Sequence, residues 1–214
     1  MSAADFLLAP EVQKLLKVVL AEPAKTFSAS ELAKRTRLEA QDVERTQEHL
    51  LKSGILARHK PTGDDQAGTV GANTAFIFYA ELRAIALKSF AAAEPIRAML
   101  RSKFKDSVLR AFLLGEDEEA TIELLVVHGQ QVPDEAQMST ACRKLSATIG
   151  RHLKVHVISS RKHEALTARD DLGARLAAGP AIEIIALGDT KAQPAVERGG
   201  LLQSARQKLA ALAR

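Results

Sequence analysis

The sequence predicts a mixed α/β (α+β) fold in two unequal parts, on three observations. Residues 27–60, FSASELAKRTRLEAQDVERTQEHLLKSGILARHK, read as helix, tight turn, helix and the first strand of a hairpin. From Val108 onward, short runs rich in Val, Ile and Leu alternate with amphipathic stretches, the pattern of a mixed sheet flanked by helices. Between the two lie helix-forming residues broken at Glu94-Pro95. The expected division is 1–80, a helical linker over 81–105, a sheet domain over 106–190 and an amphipathic helix over 191–214.

In chain order, Pro10 suits the first position of a helix, with Val12, Leu15, Leu16, Val19 and Leu20 as its apolar stripe and Pro23 beyond its end. Ser28-Ala29-Ser30-Glu31 has the spacing of a capping box, in which hydroxyl and carboxylate each satisfy an orphan backbone N–H, and opens a short helix to about Arg35. A second helix runs from about Ala40 to Ser53, with Val43 and Leu50 on one side, and Gly54 stands where a left-handed residue ends it. A strand over Leu56–Lys60 is expected to pair with the alternating run Thr74–Tyr79, TAFIFY, across a Gly- and Asp-rich tip. Helices follow over Glu81–Ala93 and about Pro95–Phe104. Then come strands at Val108–Leu114 and Thr121–His128 around the turn GEDEEA, a helix over about Pro133–Arg151, and a strand at Lys154–Ser159. A helix from Ser160 through Leu176, a strand at Ile182–Leu187 and a last helix over 198–213, carrying Leu201, Leu202, Leu209 and Leu212, complete the reading.

Composition removes several functional classes. No run approaches the roughly 18 apolar residues of a membrane span. The single cysteine, Cys142, leaves no internal disulfide and no cysteine-cluster metal site, and a reducing, cytoplasmic setting is the expectation. With no tryptophan and one tyrosine, stacking platforms for single-stranded nucleic acid are not expected. His128, His152, His156 and His163 lack a short ligand spacing, and no phosphate-cradling glycine loop is present, so neither metal nor cofactor is expected. Charge is uneven: residues 1–80 hold ten basic and ten acidic side chains, residues 81–110 carry a net +4, residues 111–190 a net −4 and residues 191–214 a net +4.

The paired helices, the hairpin and the exit LLKSGIL (residues 50–56) resemble the winged helix-turn-helix of bacterial transcription regulators, over roughly residues 10–80. The resemblance implies double-stranded DNA as partner, with the second helix in the major groove. Its outer face would hold Gln41, Arg45, His49 and Lys52, interleaved with Asp42, Glu44 and Glu48; Thr46 would lie at the edge of contact. Arg45 can fork onto guanine and Gln41 onto adenine. Lys34, Arg35 and Arg37 would meet phosphates, as would Arg58, His59 and Lys60 at the root of the wing. Glu39, Asp42, Glu44 and Glu48 oppose a polyanion, and from them follows an alternative: a protein–protein adaptor on the same scaffold, without DNA binding. A homodimer is expected in either case, through helices at 81–104 or 198–213, because two reading heads add their affinities.

The order strand–turn–strand–helix–strand–helix–strand from Val108, with AFLLGEDEEATIELLVV at its start, looks like the minimal nucleotidyltransferase fold that some bacterial regulators carry behind a winged helix. In that family a Gly-Ser pair engages phosphates and an Asp-x-Asp pair holds Mg²⁺. Here Gly115 matches the glycine, Glu116 stands at the serine, and Thr121 and Glu123 stand at the two aspartates. The resemblance therefore implies the fold with a degenerate site, no catalytic residue, and a role in scaffolding, dimerisation or sensing an unknown small molecule or protein. The enzymatic alternative is an active nucleotidyltransferase using Glu123 with the acidic turn 116–119. The bland reading of that turn is a solvated loop, and that of Cys142 a small packed side chain.

Overall fold

The computed structural model describes residues 2–59, 68–117, 120–179 and 181–194. The described front part begins with helix α1, Pro10–Val19, followed by strand β1, Thr26–Phe27, helix α2, Ala29–Thr36, helix α3, Ala40–Lys52, and strands β2, Leu56–His59, and β3, Thr69–Ala72. The capping box forms as the sequence dictates: Ser28 Oγ accepts from the Glu31 N–H at 3.2 Å and a Glu31 carboxylate oxygen accepts from the Ser28 N–H at 3.2 Å. Leu15, Leu16, Val19, Phe27, Leu32, Val43 and Leu50 close into one core beneath the three helices. This is a winged helix-turn-helix, with a three-stranded antiparallel sheet in the order β1-β3-β2.

The wing differs from the expectation. Its return strand is β3, whose Thr69–Ala72 pairs with His59–Leu56, and Thr74–Tyr79 does not join the sheet. The chain instead turns through Asn73–Phe78 into helix α4, Tyr79–Lys88, leaving Ile77 80% and Phe78 59% exposed. Gly71 explains why so plain a stretch wins. Its Cα hydrogen face lies against β1, where a Cβ would come 3.2 Å from the Lys25 carbonyl oxygen, so this position lets three strands meet. Lys60, the wing tip and the 198–213 helix expected from the sequence lie outside the described residues.

The expected linker helices go to different cores. Ala86 of α4 is buried in the front cluster, and Leu82 and Ile85 pack half-buried against it. Helix α5, Ala93–Lys103, places Ile96, Met99 and Leu100 in the back cluster. Behind it stand β4, Val108–Glu116, and β5, Thr121–His128, then α6, Glu135–Ile149, β6, His152–Ser159, α7, Ser160–Glu164, α8, Asp171–Ala177, and β7, Ile182–Ile185. The sheet order is β6-β5-β4-β7, with β5 and β6 parallel and the other neighbours antiparallel. Helices α5 and α6 cover one face over Leu113, Ile122, Leu124 and Val126; α7 and α8 cover the other over Phe112, Leu125 and Val127. The single helix expected over 160–176 is two, interrupted where Asp170 accepts from the Thr167 backbone N–H and hydroxyl at 2.8 and 2.9 Å.

Candidate nucleic-acid interface

Helix α3 is held by its rear. Val43, Thr46, Gln47 and Leu50 are buried against the front core, which fixes Gln41, Glu44, Arg45, Glu48, His49 and Lys52 outward. Gln41, Arg45, His49 and Lys52 recur at helical spacing and form one exposed stripe. One expectation changes here. Thr46 is buried, 6% exposed, and so lies away from any outer contact. Gln47, polar at a position where an apolar residue would suit, nonetheless packs inward at 9% exposure.

The turn before α3 is built on Arg37, which adopts the left-handed conformation at φ 55° and closes α2 through its N–H to the Ala33 carbonyl. This puts Lys34 and Arg37, both exposed, at the end of α2 beside the start of α3. Arg58 and His59 are exposed on β2 at the wing root.

Several of these cations have acidic neighbours. Arg45 Nη2 lies 2.8 Å from Asp42 Oδ1, and Lys52 Nζ lies 2.7 Å from Glu48 Oε1. The lysine holds the exposed Glu48 carboxyl below its ordinary range, first by the hydrogen bond and then by charge. Arg35 pairs with Glu22 and holds its guanidinium 5.2 Å from the centroid of the Phe27 ring.

In the back sheet the four residues of the degenerate nucleotide site do not converge. Gly115 lies opposite Glu123 and Glu116 opposite Ile122 in the β4–β5 ladder, with a bulge between Leu113 and Gly115. Side chains alternate along a strand, so Glu116, beside Ile122, belongs to the α5/α6 face, and Glu123 to the α7/α8 face. Thr121 starts β5, and its N–H is taken by Asp117 Oδ1 at 2.8 Å. Glu123 receives Lys154 Nζ at 2.9 Å and also pairs with Arg175 of α8. No group of three or more His, Cys, Asp or Glu side chains placed to hold a metal ion occurs among the described residues. No described helix is long and apolar enough to cross a membrane.

Glu116 has an unforeseen position. Its carboxylate, 5% exposed, accepts from Arg151 Nε at 2.7 Å and meets Arg83 Nη2 of α4 at 2.9 Å. Arg151 is wholly buried and also donates to the Ile149 and Leu20 carbonyls, each at 3.3 Å. Leu20 ends α1, so one guanidinium ties the back sheet to the front domain. Lys17, on the preceding turn of α1, is partly buried; burial first and Arg151 second lower its ammonium below the ordinary range. Gly150 completes the contact: at φ +68° it caps α6, and a Cβ there would stand 3.2 Å from Ala21 Cβ. An acidic turn gives no hint of such a partner, which lies far away in sequence.

No protein-family model matches the chain, and no curated protein sequence does. Among solved structures it is similar to the S. aureus MepR–DNA complex, at 17% identity and a TM-score of 0.35, over 47% of this chain and 81% of that one. It is also similar to a point mutant of MepR from a multidrug-resistant S. aureus clinical isolate, at 18% identity and a TM-score of 0.33. That match takes in 37% of this chain and 57% of the other, so the chain spans rather more than half of that relative's length.

Proposed function

We propose that this protein is a DNA-binding transcription regulator that reads duplex DNA with α3 as a homodimer. The back sheet then serves as scaffold, dimer surface or sensor without nucleotidyl transfer. The carrying observation is the outward stripe Gln41, Arg45, His49 and Lys52 on a helix whose opposite side is locked in the core. Lys34, Arg37 and Arg58 flank it for phosphates.

Magnitudes decide whether the pairing of Arg45 matters. An exposed ion pair is worth about 0–1 kcal/mol. A forked contact to guanine is worth about 1–3 kcal/mol of discrimination. Exchange of Asp42 for a base edge is therefore favourable. Anisotropy titration of the full chain against duplexes selected from a random pool, at low salt, tests the reading. Binding that Arg45→Ala weakens about five- to hundredfold supports it; no selected binding, or binding indifferent to that change, overturns it.

The back sheet's proposed lack of catalysis rests on Glu116 and Glu123 lying on opposite faces, each engaged by arginine. Two carboxylates so placed do not share an ion. Label transfer from ATP with Mg²⁺ to any acceptor, abolished by Glu123→Gln, would overturn this. The adaptor reading has one observation in its favour, the neutralisation of Arg45 and Lys52 by their own helix. Asp42→Asn separates the readings: it tightens a DNA complex and leaves an adaptor that ignores DNA unchanged.

A further inference from the structure

The last strand of the described back sheet, β6, keeps an apolar row that is only half covered. On β5, Ile122, Leu124 and Val126 are completely buried, whereas their β6 partners Leu153 and Val155 are half-buried and Val157 is 42% exposed. Between this row and α6 runs a groove of about 1130 Å³. Sites for small organic molecules typically measure about 300–1000 Å³, so the groove is roomy enough for one.

The polar groups around the groove favour one sign of charge. Ser139, Arg143 and Ser146 follow one another at helical spacing on the side of α6 that overhangs the floor. Arg143 has no acidic partner among the described residues, and the two serine hydroxyls make no hydrogen bond among them. Arg151, by contrast, is taken up by Glu116. The groove's one acidic side chain is Glu135, eight residues before Arg143 and thus about 12 Å from it along the helix. Met138 and Cys142 lie between them on α6, Val155 and Val157 form the floor, and the exposed Val132 stands beside the Glu135 end.

An unpaired guanidinium above an apolar bed suits a ligand with a carboxylate at one end and a hydrocarbon body. Glu135 opposes a second negative end, because like charges repel across so short a span. We propose that this groove binds an amphipathic monocarboxylate of the medium-chain fatty acid class. Its carboxylate sits on Arg143 and Ser146, and its tail lies over Val155 and Val157 toward Val132. Gly150 and Arg151 bound the opposite end and meet the front domain at Ala21 and Leu20, so the occupant lies against the junction of the two cores. The proposal rests on the sensor role given above to the back sheet. It is measured without DNA, so its failure and the failure of DNA reading are separate results.

Equilibrium dialysis of the full chain against decanoate and octanoate, both below micelle-forming concentrations, tests it. One decanoate per chain is expected, with octanoate about fifteenfold weaker, or about fourfold per methylene removed. Arg143→Gln, at an exposed position and with its fold checked by thermal melts, is expected to weaken decanoate about tenfold. Decanedioate, which brings a carboxylate to Glu135, and decylamine, which brings an ammonium to Arg143, should each bind at least about tenfold more weakly than decanoate. Cys142, the chain's one cysteine, lines the groove, and its labelling by a maleimide should slow about tenfold at a decanoate concentration ten times Kd. Several acids per chain, equal binding by Arg143→Gln or of decylamine, or unchanged labelling overturns the proposal. Absence of binding overturns it too, as when another part of the chain fills the groove. So does binding that weakens as protein concentration rises, the mark of a second copy in the ligand's place.

Discussion

Acidic and basic side chains face one another in both halves of the molecule, but in different surroundings. In the front, Arg45 and Asp42 meet with their side chains 75% and 38% exposed, so water and salt already compete for each. In the back, Arg151 and Glu116 meet at 0% and 5% exposure, with two backbone carbonyls and Arg83 filling the remaining sites. The front pair is exchangeable for another ligand at small cost. The back pair is not, because removing Glu116 strands the Arg151 charge out of water and removing Arg151 leaves the buried Glu116 carboxylate with Arg83 alone. The same residue types thus make a surface that can bind and an interior that holds two cores together.

The largest expected effect breaks the buried side of this contrast. Arg151→Ala should destabilise the full chain by about 3–5 kcal/mol, read from urea denaturation, because it leaves the Glu116 carboxylate buried beside a cavity. The double change Arg151→Met with Glu116→Leu should recover most of that loss. A loss below about 1 kcal/mol, the range of an exposed pair, would erase the distinction between the two halves. Next, Arg45→Ala should cost about 1–3 kcal/mol of DNA affinity while leaving the melting temperature unchanged. A comparable fall in stability would show that the Arg45–Asp42 pair is structural after all.

Arg37 sharpens the comparison, since it combines a strained backbone with a solvent-facing charge. Arg37→Gly should raise stability by roughly 1 kcal/mol, because glycine adopts φ 55° without the Cβ clash. It should also lower the salt dependence of DNA binding by about one unit of slope, the signature of one lost phosphate contact. Unchanged slope would remove Arg37 from the interface.

The smallest effect is on pH. Burial, and then the Arg110 guanidinium, hold the His163 imidazole below its ordinary range; burial, and then Lys154, do so for His156. A base whose pKa is lower folded than unfolded favours the folded state fully above the unfolded value, about 6.5. That contribution is lost as pH falls through the folded value. Melts should therefore weaken from pH 7.5 to pH 5.5. His163→Phe, which keeps the stack on Phe112 (ring centroids 5.3 Å apart), should flatten the decline. An identical slope in the variant would sink the assignment.

What the sequence made legible follows from how local each signal is. The capping box at Ser28, the Gly54 exit and the two-turn spacing of Val43 and Leu50 are interactions within a few residues, and the structure has all of them. The strands β4 and β5 were legible because strands buried on both faces are apolar almost throughout. Thr74–Tyr79 misled because alternation measures fitness for a sheet, whereas the place beside β1 and β2 went to a stretch with a glycine where backbones converge. The Arg35–Glu22 pair was hidden because a cation's partner can lie on another element. The facing of Glu116 and Glu123 was hidden for a related reason. A bulge in β4 and a left-handed Ala120 shape the hairpin that carries them, and the partners that claim each carboxylate lie up to 52 residues away in sequence, the separation of Glu123 and Arg175.

Arg151 has one more implication, for how this polypeptide comes apart. Severed from the amino-terminal portion, its guanidinium would lose the Leu20 oxygen, and Glu116 would lose Arg83. Neither piece would then possess all the bonds it has when joined. Unfolding should consequently be a shared event in which loosening one globule weakens the other, and excised fragments should be poorer folders than their apolar interiors alone would suggest.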